Sequence, residues 1–256
     1  MTTPETESAA ARPVLLVADD GTEALRAFVD ALGRHSPELP VAGGHLKQVS
    51  GLMGDGTARP TVVPLTLAPA PHAERAVASA LDPARLSYAY GPLLGGHPVL
   101  LDVLERRVEA ALDAGAARTP GDRAGVTVLL VGPGATAPEA NAEVHRVARL
   151  LWEGRGYAGV ETAFVSLAAP DVPSGLDRCV RLGARRIVVL PYFLLDGALP
   201  DRVRAQAEGW AEAHPEAEVR TADVVGPDPA LLDLLVRHHH EATTPHDPRE
   251  RHAQAH

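Results

Sequence analysis

Val126-Thr-Val-Leu-Leu-Val131 is a continuous apolar run rich in β-branched side chains, and Gly132-Pro-Gly134 breaks it. A run that is apolar at successive positions, without alternation, is expected of a parallel strand covered on both faces. Helical periodicity follows from about Pro138 to Glu153, where Ala142, Val144, Val147, Ala148, Leu150 and Leu151 repeat at close to the helical period. Val160 to Val165 reads as a second strand, Val172 to Leu182 as a second helix and Ile187 to Leu195 as a third strand. Strands that alternate with helices at this spacing predict a parallel α/β sheet, and the stretch to Leu199 organises the rest of the chain.

Upstream the same order recurs. Pro13-Val-Leu-Leu-Val-Ala18 predicts a strand, Asp19-Asp20-Gly21-Thr22 a turn into a helix ending near Gly33, and Val41 to Leu46 a second strand. Thr61 to Leu67 is a third strand, Pro69-Ala-Pro-His72 a loop, Ala73 to Leu81 a helix, Leu86 to Tyr90 a fourth strand and Pro98 to Leu112 a helix. Val14-Leu-Leu-Val17 matches Val128-Leu-Leu-Val131, and Val62-Val-Pro64 matches Val189-Leu-Pro191. Gly91-Pro92 with Pro98-Val-Leu-Leu-Asp-Val-Leu104 matches Gly226-Pro227 with Pro229-Ala-Leu-Leu-Asp-Leu-Leu235. Three matches in one order make the chain an internal duplication. The expected organisation is a leader to residue 12, a lobe over 13–113, a linker over 114–125, a second lobe over 126–240 and a His-containing disordered tail over 241–256. The first lobe is the shorter, with one helix fewer between its second and third strands.

The 256 residues carry a formal charge of −9 without any basic run, which gives no support to nucleic-acid binding and points to small-molecule partners. Cys179 is the single cysteine, so an intrachain disulfide and a cysteine-based zinc or iron–sulfur site are excluded; it sits mid-helix, where a core role is expected. No segment approaches the roughly 18 consecutive apolar residues of a membrane helix, and the acidic start lacks the order of a signal peptide. A cytoplasmic protein is expected.

In an open parallel sheet the ligand crevice lies beyond the carboxyl ends of the strands, so the loops after strands one and three of each half are where chemistry belongs. They are Asp19 to Thr22 and Pro69 to His72 in the first half, and Gly132 to Thr136 and Asp196 to Leu199 in the second. All four are expected to meet at one cleft between two pseudo-symmetric lobes. On residue chemistry alone, Asp19-Asp20-Gly21 is a strand-to-helix turn with Thr22 or an Asp as cap. His45 is a strand-end residue that can approach the same cleft, and His97 an exposed loop residue before Pro98. The Gly132 and Gly134 turn can offer N–H groups to an anion, but it lacks the third glycine of a dinucleotide fingerprint, so no nucleotide is expected. His238-His239-His240, His246, His252 and His256 suggest a disordered tail that binds divalent metals loosely.

Several longer runs carry a family likeness. They are Val128-Leu-Leu-Val-Gly-Pro-Gly134 with Pro138-Glu-Ala-Asn-Ala142, Leu150-Leu-Trp-Glu-Gly-Arg-Gly-Tyr157, the run from Gly183 to Leu195, and Glu38-Leu-Pro-Val-Ala-Gly-Gly44. Over residues 13 to 240 the chain resembles the two-domain sirohydrochlorin chelatases, ATP-independent cobaltochelatases and ferrochelatases that insert metal into a tetrapyrrole on the way to cobalamin or siroheme. The resemblance implies two three-layer α/β lobes, each with a mainly parallel four-stranded sheet, a cleft between them, a tetrapyrrole substrate and Co2+, Fe2+ or Ni2+ as the metal. It also implies a His-Gly pair after strand one, a second His after strand three and an acidic residue after strand two. Here Asp20-Gly21-Thr22 stands at the first place, or Asp19 with a one-residue shift, His72 at the second and Lys47 at the third, while Pro133, Leu199 and Ser166 take these places in the second half. By resemblance, then, His72 and Asp20 are the catalytic pair and metal ligands, His45 is a further ligand, and Gly21, Thr22, Gly132 and Gly134 line the substrate site. One imidazole and one carboxylate replace the usual two imidazoles, and carboxylate oxygen is a harder ligand, favouring magnesium or manganese over cobalt, nickel or iron. The alternative is a degenerate homologue that binds metal or tetrapyrrole, or supports another enzyme of the pathway, without turnover.

Overall fold

A computed structural model describes residues 13–18, 22–45, 60–67, 75, 77–79, 89–90, 94–113 and 123–243. In the first half, β1 (Val14–Ala18), β2 (Val41–His45), β3 (Thr61–Pro64) and β4 (Ala89–Tyr90) form one sheet in the order β2-β1-β3-β4, with α1 (Thr22–His35) after β1. In the second half, β5 (Thr127–Gly132), β6 (Gly159–Phe164), β7 (Arg186–Pro191) and β8 (Glu218–Thr221) repeat that order as β6-β5-β7-β8. Every pairing is parallel. The helices α2 (Pro98–Asp113), α3 (Pro138–Arg155), α4 (Val172–Arg181), α5 (Ala198–Ala213) and α6 (Pro229–Thr243) complete the described fold. The two four-stranded parallel sheets expected from the duplication are present. The expected helix loss near residues 46–59 lies outside the described residues, as do most of Ala73–Leu81, the start of the fourth strand and most of the linker.

β1 and β5 are wholly buried, as their unbroken apolar runs require. Beneath β5, α3 turns Val144, Val147, Ala148 and Leu151 into the core. It stops at Gly156, whose φ of 74° is a left-handed helix terminus. On the other face of sheet two, α4 and α5 cover Leu129 and Val131 with Leu176, Cys179, Val203 and Trp210. The α4 start is capped by Asp171, which accepts from the Ser174 N–H at 2.9 Å, and this bond holds its carboxyl below the usual range.

The last helix of each half leaves its own sheet. α2 packs on β7, β8 and α3 of the second half, α6 packs on β3, β4 and α1 of the first, and the two helices meet. Each is therefore covered on more than one side, which is why Leu100, Leu101, Val103 and Leu104 are all buried, as are Leu231, Leu232, Leu234 and Leu235. A helix facing one layer would bury a narrower stripe. The exchange fuses the two sheets into one core running from Leu16 and Val63 through Leu104 and Leu235 to Leu130 and Leu190.

Polar contacts repeat with the duplication. His35, the last residue of α1, meets Asp233 of α6 at 2.7 Å, and Arg155, the last of α3, meets Asp102 of α2 at 2.5 Å. Asp102 and Asp233 are the matching acids of the two Leu-Leu-Asp motifs. At the start of α6 the Asp228 carboxylate accepts the Ala230 N–H at 3.0 Å and pairs with Arg106 at 2.8 Å, while Arg107 donates to the Val225 carbonyl at 2.6 Å. At the start of α2 the same cap is made by His97, whose Nδ1 accepts the Val99 N–H at 3.2 Å. Here His238 occupies the place of Arg107, and its ring meets that of His97 edge-on at 6.1 Å.

Two expectations are corrected at this point. His97 is half-buried and caps a helix; it is not an exposed loop residue. His238, His239 and His240 belong to α6, with His238 and His239 buried and His239 Nδ1 2.9 Å from Thr61 Oγ1, because this helix is needed to cover the first sheet. They are not part of a loose metal-binding tail. The helix continues through Glu241 to Thr243, and residues 244–256 lie outside the described residues.

Candidate functional site

Parallel order brings the carboxyl ends of β2, β1 and β3 side by side in the first sheet. His45 pairs in register with Ala18, and the Leu65 N–H donates to the Val17 carbonyl at 2.8 Å. His45, half-buried at the end of β2, is thus held beside the residue that leads into Asp19-Asp20-Gly21. Thr22 is the first residue of α1. Asp20, Gly21 and His72 lie outside the described residues, as does Lys47. Among the described residues, His45 pairs with Ala18, which precedes Asp19 in sequence, and Leu67 is the last residue before the Ala68–His72 segment. Among the described residues no three His, Cys, Asp or Glu side chains form a metal-binding group.

The same edge of sheet two is fully described. Gly132 ends β5, and a Cβ there would lie 2.8 Å from Val144 Cγ2, so glycine lets α3 close on the strand. Gly134 has a φ of 78°, and a Cβ on it would run into the Ser166 carbonyl. The turn is tied down by Asn141, which accepts the Ala135 N–H at 2.9 Å and donates to the Ala135 carbonyl at 2.8 Å. Ser166 Oγ donates to the Pro133 carbonyl at 3.0 Å. Both glycines therefore have a packing reason, and the Ala135 N–H is already engaged by a side chain. Leu199 lies in the first turn of α5. Pro133, Ser166 and Leu199 offer this edge no imidazole or carboxylate.

The two edges meet at Tyr192. This residue follows β7, is 2% exposed, and its hydroxyl donates to the Leu67 carbonyl at 3.3 Å. Burial is the main reason its phenol is pushed up, with the charge of Glu143 adding to it. Glu143 and Arg146 of α3 form a 2.7 Å pair beside the Gly95–Gly96 turn, where a side chain on Gly96 would strike the Arg146 guanidinium. Tyr192 and this pair join the lobes next to the start of the Ala68–His72 segment. Tyr192 sits inside a family-like run, yet its bond to Leu67 spans 125 residues and has no local signal.

A further concavity of about 470 Å³ lies between α2 and the end of β8, lined by Arg107, Arg220 and Asp223 among others. Its guanidinium groups are engaged with protein: Arg107 with the Val225 carbonyl, Arg220 with those of Ala111 and Leu112. These bonds fasten the exchanged helix to the second sheet. Among the described residues no helix is long and apolar enough to cross a membrane.

Comparison with known proteins gives one consistent result. A family profile described as CbiX matches residues 18–111 and 127–242, one segment in each half. Sirohydrochlorin cobaltochelatase of Priestia megaterium is 34% identical over 179 residues, covering 68% of this chain and 57% of the relative. Sirohydrochlorin ferrochelatase of the same organism is 29% identical over 154 residues, covering 60% of this chain and 57% of the relative. The alignments thus span little more than half the length of these two relatives. Among solved structures, SirB from Bacillus subtilis with Fe3+ superposes with a TM-score of 0.69 at 19% identity, covering 91% of this chain and 96% of that one. At that identity the likeness speaks for the fold.

Proposed function

Because the chain belongs to the CbiX family, we propose that it is a metal chelatase, a lyase that inserts a divalent cation, Co2+ or Fe2+, into sirohydrochlorin without ATP. The observation that carries this reading is that the family match extends over both lobes, including the strand ends that frame the cleft. The relatives named for the reaction, one for cobalt and one for iron, support the substrate class and both metals. Ni2+ is a further metal of the same ligand preference.

In the proposed reaction, the substrate's two inner N–H protons leave as the cation enters, so charge is conserved at the macrocycle. Two tasks fall to the protein: presenting a partly desolvated cation and receiving protons. His72 suits the first, since neutral imidazole binds first-row divalent cations well. Asp20 serves as second ligand or as the base that takes a pyrrole proton. His45 is the third donor of the same lobe, in register with Ala18 at the end of β1, which supports the reading. Gly21, Thr22, Gly132 and Gly134 line the substrate site at the two strand-to-helix turns. The second lobe supplies a wall without metal ligands. The enzyme acts in the cytoplasm, its tetrapyrrole supplied by another enzyme of the pathway, and nucleic acid plays no part.

Titrating metal-free sirohydrochlorin into the protein and then adding Co2+ separates this reading from the degenerate one. Turnover requires a visible spectral change faster than the protein-free rate. Binding with no acceleration would leave a tetrapyrrole-binding homologue. The relatives' names, all chelatases, favour turnover.

A further inference from the structure

Leu167 is, among the described residues, the one non-glycine residue with positive φ, at 59°. The Ala168 N–H donates to the Ser166 carbonyl at 2.7 Å, so Leu167 is the central residue of a three-residue turn of the less favoured hand. An L side chain in this region is strained, and such strain persists only where the surroundings impose it. Here they do. Ser166 Oγ is bonded to the Pro133 carbonyl, the Val165 N–H to the Gly132 carbonyl at 3.0 Å and the Phe164 N–H to the Pro170 carbonyl at 2.9 Å, while Gly134 presses against the Ser166 carbonyl.

This rigid platform presents an apolar group to water. Leu167 is 74% exposed, the most exposed large hydrophobic residue among the described residues. It stands just beyond β6, on the carboxyl edge of sheet two, where open α/β sheets take their ligands. Glycine or asparagine would fit the backbone better and suit the exposure better. Neither folding nor hydration accounts for leucine there.

We propose that Leu167 is a substrate contact, its side chain packing on one face of the planar tetrapyrrole held between the lobes. This rests on the function proposed above and adds a subsite to it. A tetrapyrrole of this class has a broad apolar face and a rim of carboxylates, so its face needs an apolar partner that is already ordered. A backbone already held by a braced turn has little freedom left to lose on binding. Covering it is worth about a factor of ten in affinity.

The test uses the full chain, metal-free sirohydrochlorin and the variants Leu167→Asn and Leu167→Gly, with Leu182→Asn as a control. Leu182 is 67% exposed and ends α4. Kd is read by visible absorption and thermal stability by circular dichroism. Both Leu167 variants are expected to bind about tenfold more weakly, with thermal stability unchanged or raised, because strain is relieved. In metal insertion KM rises by the same factor and kcat holds. The control binds as the wild type does. Affinity within twofold of the wild type in the Leu167 variants overturns the proposal while leaving the chelatase reading intact, as does a marked loss of stability, which would make the turn a structural element. A wild-type protein that fails to bind the tetrapyrrole overturns both.

Discussion

Replacing Gly134 by alanine tests whether the turn after β5 is as constrained as its geometry states. At a φ of 78°, a side chain costs about 1–2 kcal/mol for the left-handed backbone alone. The new Cβ would also lie 2.8 Å from the Ser166 carbonyl carbon and closer still to its oxygen, with Phe164 Cβ at 3.3 Å on another side. Moving that carbonyl disturbs the Ser166–Pro133 hydrogen bond, worth about 1 kcal/mol, and repacking adds about 1–3 kcal/mol. The sum is about 3–6 kcal/mol, which at about 2–4 °C per kcal/mol lowers Tm by roughly 6–24 °C. Gly209→Ala is the matched opposite: it lies inside α5, no atom beyond the helix's own backbone is within 4 Å of its new Cβ, and helix propensity predicts a gain of about 0.5–1 kcal/mol. Thermal unfolding followed by circular dichroism, with hydrogen exchange across residues 132–136 and 166–168, reads both. A Gly134→Ala protein within 2 °C of the wild type (about 1 kcal/mol or less) would refute the reasoning, and so would a Gly209→Ala protein that melts earlier.

Burial is the main cause that lowers the pKa of His238 below the ordinary histidine value of 6.5, and His97 and Arg237 add to it against the opposing pull of Glu241. Below about pH 6.5 the unfolded chain therefore takes up a proton that the folded chain resists, so stability is lost as pH falls and is present above that value. The melting temperature should drop between about pH 7 and 5, and the drop should shrink in His238→Gln; equal slopes in the two proteins would contradict the assignment. Cys179 is fully buried and its thiol is pushed up to about 12 by burial first and by Glu161 second. It should label with a thiol reagent only as fast as the chain unfolds, and prompt labelling at neutral pH would contradict this.

Much of the architecture is legible in local patterns. The apolar runs of β1, β5 and β7, the Gly turns and the repeated Pro-x-Leu-Leu-Asp motif suffice for two parallel sheets, since each is a short-range signal with its own physical cause. The exchange of α2 and α6 is not legible in that way. Its trace is the doubled leucines, Leu100-Leu101 and Leu231-Leu232, which bury adjacent positions that a one-sided helix would split between core and water. The same exchange explains why His238 to His240, polar in composition like a tail, belong to a helix that covers the first sheet. Composition is silent about which surface a helix must seal. The candidate site divides in the same manner: glycines and strand ends are found by pattern, whereas Tyr192 reaches Leu67 across the duplication and Leu167 is distinguished by backbone conformation and exposure. Asp20 and His72 lie outside the described residues and rest on the family resemblance.

The most direct test of the central claim is the initial rate of Co2+ insertion into sirohydrochlorin, followed in the visible spectrum without ATP, for the wild type and His72→Ala. The account predicts a rate that rises in proportion to wild-type protein above the uncatalysed background and falls to that background in the variant. A wild-type rate equal to background would contradict it.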